Sequence, residues 1–193
     1  MKLDNEYWSN RYSNDTAAWD VGQITTPLKA YFDQLSNKEI SILIPGCGNS
    51  YEAEYLLQKG FTNITLIDIS SLLCQQLEQK LAPHLSAGLK IICGDFFDHT
   101  GQYDLIIEQT FFCALDLILR KSYTLKMHYL LKPGGKLIGL LFYRQFDGSP
   151  PFGGNEAEYR QLFQQQFNIE IMEDCYNSIG PRKNAELFIK LVK

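Results

Sequence analysis

Ile40-Ser41-Ile42-Leu43-Ile44-Pro45-Gly46-Cys47-Gly48-Asn49-Ser50 is the stretch on which the fold turns. Its apolar, β-branched first half has the length and composition of a buried strand. Pro45 carries no N–H for a sheet ladder, and the glycines beside it permit the positive φ that a tight turn needs. Asn49-Ser50 then offers a helix N-cap, and residues through about 59 follow a helical pattern with Tyr51, Tyr55 and Leu56 on one face and Gly60 as its stop. A strand, a glycine turn and a helix in that order form the opening unit of a parallel α/β sheet.

The same alternation continues to the end of the chain. Further strands are expected at 63–68, 89–93, 103–108, 136–143, 167–174 and 185–192, which makes seven with the first. Ser70 or Ser71 is placed to cap a helix carrying Leu73, Leu77 and Leu81 at four-residue spacing. A longer helix is expected over 116–131, with Leu119, Tyr123, Met127 and Leu130 as its apolar stripe and Lys132-Pro133-Gly134-Gly135 as its stop. Another fits 155–166. Strands separated by helices predict a mostly parallel sheet covered on both faces, and the short gap before the last strand suits an antiparallel closing pair. Residues 1–39 differ: they are polar and aromatic, with Tyr7, Trp8, Tyr12 and Trp19 and hence both tryptophans of the chain. They read as a lid or flank on a single domain spanning 1–193, whose core is 40–193.

Composition narrows the partners. The chain has 193 residues, 45% apolar and 21% charged, with a formal net charge of −4. That balance argues against nucleic acid, whose binders carry a basic face. No signal-type apolar segment opens the sequence, and the apolar run at 137–142 is far too short for a bilayer, so neither secretion nor a membrane is expected. Cys47, Cys74, Cys93, Cys113 and Cys175 are scattered, odd in number and without metal spacing, which suits reduced thiols in a cytoplasm. His84, His99 and His128 show no ligand spacing either, and no metal is expected.

Four places carry residues suited to chemistry. The Gly46-Cys47-Gly48 turn lies at the carboxyl end of the first strand, where doubly wound sheets bind nucleotides. A dinucleotide fingerprint would place a third glycine where Tyr51 stands. Asp68 ends the second strand 22 residues beyond Gly46, a position from which a carboxylate accepts hydrogen bonds from a ribose diol; a turn or N-cap aspartate reads the same way. In Gly94-Asp95-Phe96-Phe97, Asp95 is suited to an adenine amino group and Phe96 to the ring face, with Phe97 filling the core. Glu108-Gln109-Thr110-Phe111-Phe112-Cys113-Ala114 follows the fourth strand, where a transferred group would lie.

These residues, with others in the same order, resemble the class I methyltransferases of the thiopurine S-methyltransferase-like family, in its branch of thiol and halide methyltransferases. The resemblance rests on Trp8-x-x-x-Tyr12, Trp19-Asp20-x-Gly22, Leu43-Ile-Pro-Gly-Cys-Gly48, Asp68-Ile-Ser70, Gly94-Asp-Phe-Phe97, Thr110-Phe-Phe-Cys-Ala-Leu115, Leu131-Lys-Pro-Gly-Gly135 and Pro150-Pro-Phe152. It implies a Rossmann-like fold and S-adenosylmethionine as cofactor. Trp8, Tyr12 and Trp19 would close over the cofactor, Gly46 would touch its methionine part, and Asp68 with Ile69 its ribose. Asp95 and Phe96 would meet the adenine, and Gln109 the sulfonium region. Tyr12 stands where plant relatives often have tryptophan, and Gln109 where they often have tyrosine.

The expected reaction is methyl transfer to a small soft nucleophile, a thiol, bisulfide or halide. A sulfonium methyl is already activated, so alignment and exclusion of water supply most of what catalysis requires. That agrees with the lack of any Ser-His-Asp set or carboxylate pair, and no side chain is assigned as a catalytic acid or base. Phe111, Phe112, Phe152, Tyr143 and Arg144 are candidates for the acceptor side, against core packing for the phenylalanines and a surface ion pair for the arginine. Three alternatives stay open: a thiopurine or metalloid S-methyltransferase, a non-catalytic cofactor-binding module, and, opposed by Tyr51 and the Lys-Pro-Gly-Gly element, a nicotinamide-dependent oxidoreductase. The sequence leaves the oligomeric state open, a monomer included.

Overall fold

A computed structural model describes residues 2–14, 16–148 and 150–193, which fall into two compact units, 1–99 and 100–193. In the first, strands β1 (Ile42–Pro45), β2 (Ile64–Asp68) and β3 (Leu89–Cys93) run parallel, β2 lying between the other two. Every residue of β1 and β2 is buried, as a sheet covered on both faces demands. Helix α3 (Tyr51–Gln58) joins β1 to β2, and α4 (Ser71–Lys80) follows β2. The Ser70 hydroxyl caps α4 by accepting from the Leu73 amide at 3.2 Å, and Leu73, Cys74 and Leu77 form its buried side. A single helical turn, α5 (Ala82–Leu85), leads to β3.

Helix α3 departs from expectation at two points. Ser50 occupies the N-cap position in a left-handed conformation (φ 57°), and its hydroxyl caps nothing. The buried face is Glu52, Ala53 and Leu56 rather than the tyrosines. Tyr51 and Tyr55 lie half-buried on the flank, where Tyr55 stacks on Phe32 with centroids 6.5 Å apart and donates its hydroxyl to Asp33.

Residues 1–39 are more structured than a polar flank. Helix α1 (Asn5–Ser13) is capped by Asp4, which accepts from the Tyr7 amide at 3.1 Å. It buries no residue completely and is tied to the start of α4: Asn5 accepts from the Ser71 amide at 2.8 Å, and the Ser9 and Ser70 hydroxyls are 3.0 Å apart. Helix α2 (Thr26–Phe32) begins with Pro27 in its first turn and buries Leu28 and Phe32 completely. The second half of the segment therefore belongs to the core.

In the carboxy-terminal unit β4 (Tyr103–Gln109) pairs in parallel with β5 (Leu131–Phe142). The closing strand β7 (Glu186–Val192) inserts antiparallel between β5 and β6 (Asn168–Asp174). The whole order is β3-β2-β1-β4-β5-β7-β6, seven strands of which β7 alone runs opposite, the expected architecture. Strand β5 starts five residues earlier than expected, because Lys132-Pro-Gly-Gly135 forms an irregularity within the strand rather than a stop before it. Its pairing with β4 jumps from Tyr103↔Leu131 to Leu105↔Lys136, and the Gly134 amide donates instead to the carbonyl of Lys193 at 3.1 Å.

The helix expected over 116–131 is a short 3₁₀ turn, Leu117–Leu119, capped by Asp116 and continuous with α6 (Arg120–Leu130). Tyr123, Met127 and Leu130 are fully buried, and Leu119 half-buried. Helix α7 (Glu156–Phe163), capped by Asn155, adds Tyr159 and Phe163 to the same core. Among the described residues no helix is long and apolar enough to cross a membrane.

Gly139 in β5 fixes how closely that strand approaches β4. A Cβ there would lie 2.1 Å from the Glu108 carbonyl oxygen and 2.5 Å from the Glu108 Cβ, backbone and stem that cannot swing away. Gly139→Ala should destabilise the fold by about 1–3 kcal/mol, the usual range for forcing extra volume into a packed interior. Chemical denaturation measures this, and a loss under about 0.5 kcal/mol, the level of an ordinary surface change, would show that the strands can separate freely.

Candidate active site

The carboxyl ends of β1 and β2 lie side by side, and the side chain of Asp68 joins the loops that leave them. It is 7% exposed. One carboxylate oxygen accepts from the Gly48 amide at 3.3 Å and the other from the Ser70 amide at 2.9 Å. Burial raises its pKa above the usual aspartate value, opposed by the amides of Ser70, Gly48 and Ile69. Ile69 itself is half-buried. Asp68 thus does act as a turn aspartate. Each carboxylate oxygen has a further lone pair, so this engagement does not use up its capacity to accept.

The glycine turn bends through left-handed backbone at Gly46 (φ 55°), Gly48 (φ 51°) and Ser50 (φ 57°). Ser50 is 1% exposed, and its hydroxyl oxygen has no hydrogen-bond partner among the described residues. A non-glycine residue in this conformation with an orphaned polar atom is the kind of local cost that binding sites carry. The amides and hydroxyl at the start of α3 suit the polar end of an amino-acid-like ligand, and the Asp68 carboxylate suits a diol.

The amino-terminal aromatics gather against this turn. Trp19 receives Trp8 and Tyr12 edge-on, with centroids 5.5 and 5.9 Å away, and the Arg11 guanidinium lies 5.5 Å from the Trp19 ring. The Tyr12 hydroxyl would be 3.4 Å from a Cβ placed on Gly48. Burial, then the charges of Asp68 and Cys47, push the Tyr12 phenol well above its ordinary pKa, so it stays a donor. Asp20 latches the segment down: its carboxylate accepts from the Asn49 amide group, from the Tyr51 hydroxyl at 3.3 Å and from the Gly22 amide at 2.7 Å. Tyr51, the residue that replaces a third glycine, is thereby turned toward the amino-terminal segment.

The Asp68 carbonyl accepts from the Gly94 amide at 2.9 Å, which brings the loop after β3 to the same end of the sheet. There the sequence reading needs one correction. Phe96 is the buried ring, at 5% exposure, while Phe97 is half-buried. Asp95 is exposed and caps a 3₁₀ turn by accepting from the Phe97 amide at 2.8 Å; that tight turn sends the two phenylalanines in different directions.

In the carboxy-terminal unit Gln109 ends β4 half-buried, and Thr110 turns the chain with φ 60°. Phe111 is half-buried beside Tyr123, whereas Phe112 is 1% exposed and packs among Tyr123, Tyr159 and Phe163. The Phe112 ring is therefore core. Tyr143 is half-buried, its phenol pushed up by burial and then by the Asp174 carboxylate of β6, while Arg144 is exposed with its guanidinium 4.6 Å from the Phe146 ring.

Two functional-looking residues escaped the sequence reading. Glu108 is fully buried and accepts from the amides of Phe111 and Phe112, both at 2.9 Å, and from the Tyr123 hydroxyl. Arg120 is 6% exposed, pairs with Glu158 at 2.7 Å and donates to the Gly153 carbonyl at 2.6 Å, bracing the Pro150-Pro-Phe-Gly153 loop. A carboxylate directly after the apolar run Leu105-Ile106-Ile107 was the available signal for Glu108. Arg120 had none, because its partners are distant in sequence.

The described residues contain no cluster able to hold a metal. The fold is that of the class I methyltransferases, and the family and relatives make the protein an S-adenosylmethionine-dependent methyltransferase. The thiopurine S-methyltransferase family profile matches residues 3–190, and the chain belongs to that family. It is 29% identical over 184 residues to a probable thiol methyltransferase 2 of Arabidopsis thaliana, covering 93% of this chain and 81% of the relative. It is 27% identical over 184 residues, with the same coverage, to thiocyanate methyltransferase 1 of Brassica oleracea. Among solved structures, the 1,6-didemethyltoxoflavin-N1-methyltransferase of Burkholderia thailandensis shares the fold with a TM-score of 0.76 at 15% identity, covering 98% of this chain and 86% of that one.

Both tryptophans lie in the segment that Asp20 latches, so selectively excited tryptophan fluorescence reports on that segment alone. Asp20→Ala should shift the emission to longer wavelength well below the melting temperature. An unchanged spectrum would show that the aromatic contacts hold the segment without the latch.

Proposed function

We propose that this methyltransferase transfers the cofactor's methyl group to a small soft nucleophile that arrives as an anion, a thiolate, bisulfide, halide or thiocyanate, by in-line displacement in which the sulfonium leaves as a neutral thioether. The observation that carries this reading is the engagement of Glu108. The buried carboxylate in the turn after β4 is committed to two backbone amides and a phenol, and so is not placed to take a proton from an acceptor. An acceptor that arrives already anionic needs no such base. The thiol and thiocyanate methyltransferases among its relatives point the same way.

S-adenosylmethionine, when bound, supplies a methyl group activated by a positive sulfur. In this proposal Asp68 and Ile69 take the ribose, and Gly46 with the start of α3 takes the methionine end. Asp95 takes the adenine amino group, with Phe96 and its neighbour Phe97 beside the ring. Trp8, Tyr12 and Trp19 cover the cofactor and exclude water, which strengthens the attraction between an anionic acceptor and a cationic sulfur. Aromatic faces attract such a cation by about 0.5–2 kcal/mol each, by analogy with ammonium. To Gln109 the proposal assigns the sulfonium region, as the family resemblance implies, and to Phe111, Tyr143 and Arg144 the acceptor.

S-adenosylhomocysteine at a hundred times its dissociation constant should stabilise the native state by about 2.7 kcal/mol and raise the melting temperature by several degrees, while NAD should not. Asp68→Ala should lower that affinity about ten- to a hundredfold, as expected for losing hydrogen bonds to a charged group. Unchanged affinity by calorimetry would move the ribose elsewhere. For the acceptor, the wild-type enzyme is assayed against thiols, bisulfide, thiocyanate, iodide, bromide and thiopurines. Small anions should give the higher kcat/KM, and a preference for thiopurines would overturn the assignment.

A further inference from the structure

The turn after β4 is held from within the sheet by one side chain. Glu108 points inward at the end of the strand, fully buried, and its Oε1 accepts from two successive amides, Phe111 and Phe112, at 2.9 Å each. Its other oxygen receives the Tyr123 hydroxyl from α6. These bonds enclose Gln109 and Thr110, the latter with φ 60°, a conformation that an L-residue adopts only when its surroundings impose it. The strand beneath has no slack, because Gly139 of β5 lies against the Glu108 backbone too closely for any side chain. Gln109 and Phe111, on either side of that bend, therefore take their positions from Glu108.

We propose that Glu108 is a positioning residue for the methyl acceptor, fixing through the Phe111 and Phe112 amides the turn that presents Phe111. The proposal rests on the assignment of that turn to the acceptor side. Glu108 itself touches neither acceptor nor cofactor in this scheme; it acts through the backbone.

Its protonation has a consequence that a neutral strut would lack. Burial raises Glu108 to about 7, opposed by the bonds from Tyr123, Phe112 and Phe111. The titratable groups facing it are the Tyr123 phenol of α6 and the Cys113 thiol of the turn, both pushed upward by burial and by Glu108 itself. Arg182 and Arg120 act on the same thiol in the opposite sense. Tyr123 and Cys113 stay neutral near pH 7, so the carboxyl is the group in this cluster that changes charge there. As the anion it accepts all three hydrogen bonds with charge assistance; as the acid it must turn one oxygen into a donor. The turn is held more tightly above pH 7 than below it.

The test uses thiocyanate, which carries no titrating proton in this range, and measures the S-adenosylhomocysteine dissociation constant at each pH as a control for the cofactor. For the wild type, KM for thiocyanate should fall two- to threefold between pH 6 and pH 8. Glu108→Gln keeps an acceptor oxygen for both amides without the charge, so its KM should be flat over the same range. Glu108→Ala should raise KM tenfold or more, with a several-fold smaller loss of cofactor affinity, since of the residues assigned to the cofactor only Gln109 lies in this turn. If Glu108→Ala does not fold, the comparison of wild type with Glu108→Gln decides alone. The proposal is overturned if wild type and Glu108→Gln share one pH profile, or if cofactor affinity falls in step with KM. A wild-type enzyme that binds S-adenosylhomocysteine but methylates no small anion removes the acceptor assignment, and this proposal with it. Failure confined to the variants removes only this proposal.

Discussion

The Asp68 carboxylate sits where β2 ends, taken out of water and surrounded by backbone amides. Its bond to Gly48 holds the turn after β1, and its bond to Ser70 holds the start of α4. Its own carbonyl receives Gly94, which anchors the loop after β3. Three loops that leave three parallel strands are thus registered against one residue. An unpaired carboxylate at this depth would be costly, and these amides offset part of that cost. The arrangement of the amino-terminal unit around the carboxyl end of its strands follows from this constraint.

The amino-terminal segment rests on that arrangement at second hand. Ser70, fixed by Asp68, meets Ser9 of α1, and Gly48, fixed by the same carboxylate, lies against the Tyr12 hydroxyl. Asp20 adds its bonds to Asn49 and Tyr51. The aromatic cluster is therefore built on the loops that the proposal assigns to the cofactor. In the carboxy-terminal unit Glu108 has the corresponding part, a buried carboxylate at a strand end that organises the turn beyond it. Using carboxylates as scaffolding leaves few groups for proton transfer, which suits a reaction whose methyl donor is already activated.

Much of the fold was legible because burial on both faces forces short apolar runs, and β1 and β2 show that pattern without interruption. The closing strand was legible from the short gap before it. The misjudged elements share one cause. Lys132-Pro-Gly-Gly135 has turn chemistry, yet β4 and the chain terminus hold it inside β5. Asn49-Ser50 has capping chemistry, yet the glycine turn forces Ser50 into a left-handed conformation in which its hydroxyl faces no amide. Phe96 and Phe97 are alike in sequence, and only the 3₁₀ turn capped by Asp95 decides which is buried.

The amino-acid sequence by itself determined the α/β class, the order of strands and helices, the glycine turn and the acidic strand end at Asp68. Each of these is written in local chemistry: apolar runs, conformationally free glycines and a charge at the close of an apolar segment. The tertiary structure alone decided that Asp20 would latch the amino-terminal aromatics, that Arg120 would brace the loop at 150–153, that Phe112 would be core and that Glu108 would be engaged rather than available. Those outcomes depend on partners far away in the chain, and a side chain's hydrogen bonds and burial are properties of the packed neighbourhood that its own sequence surroundings do not encode.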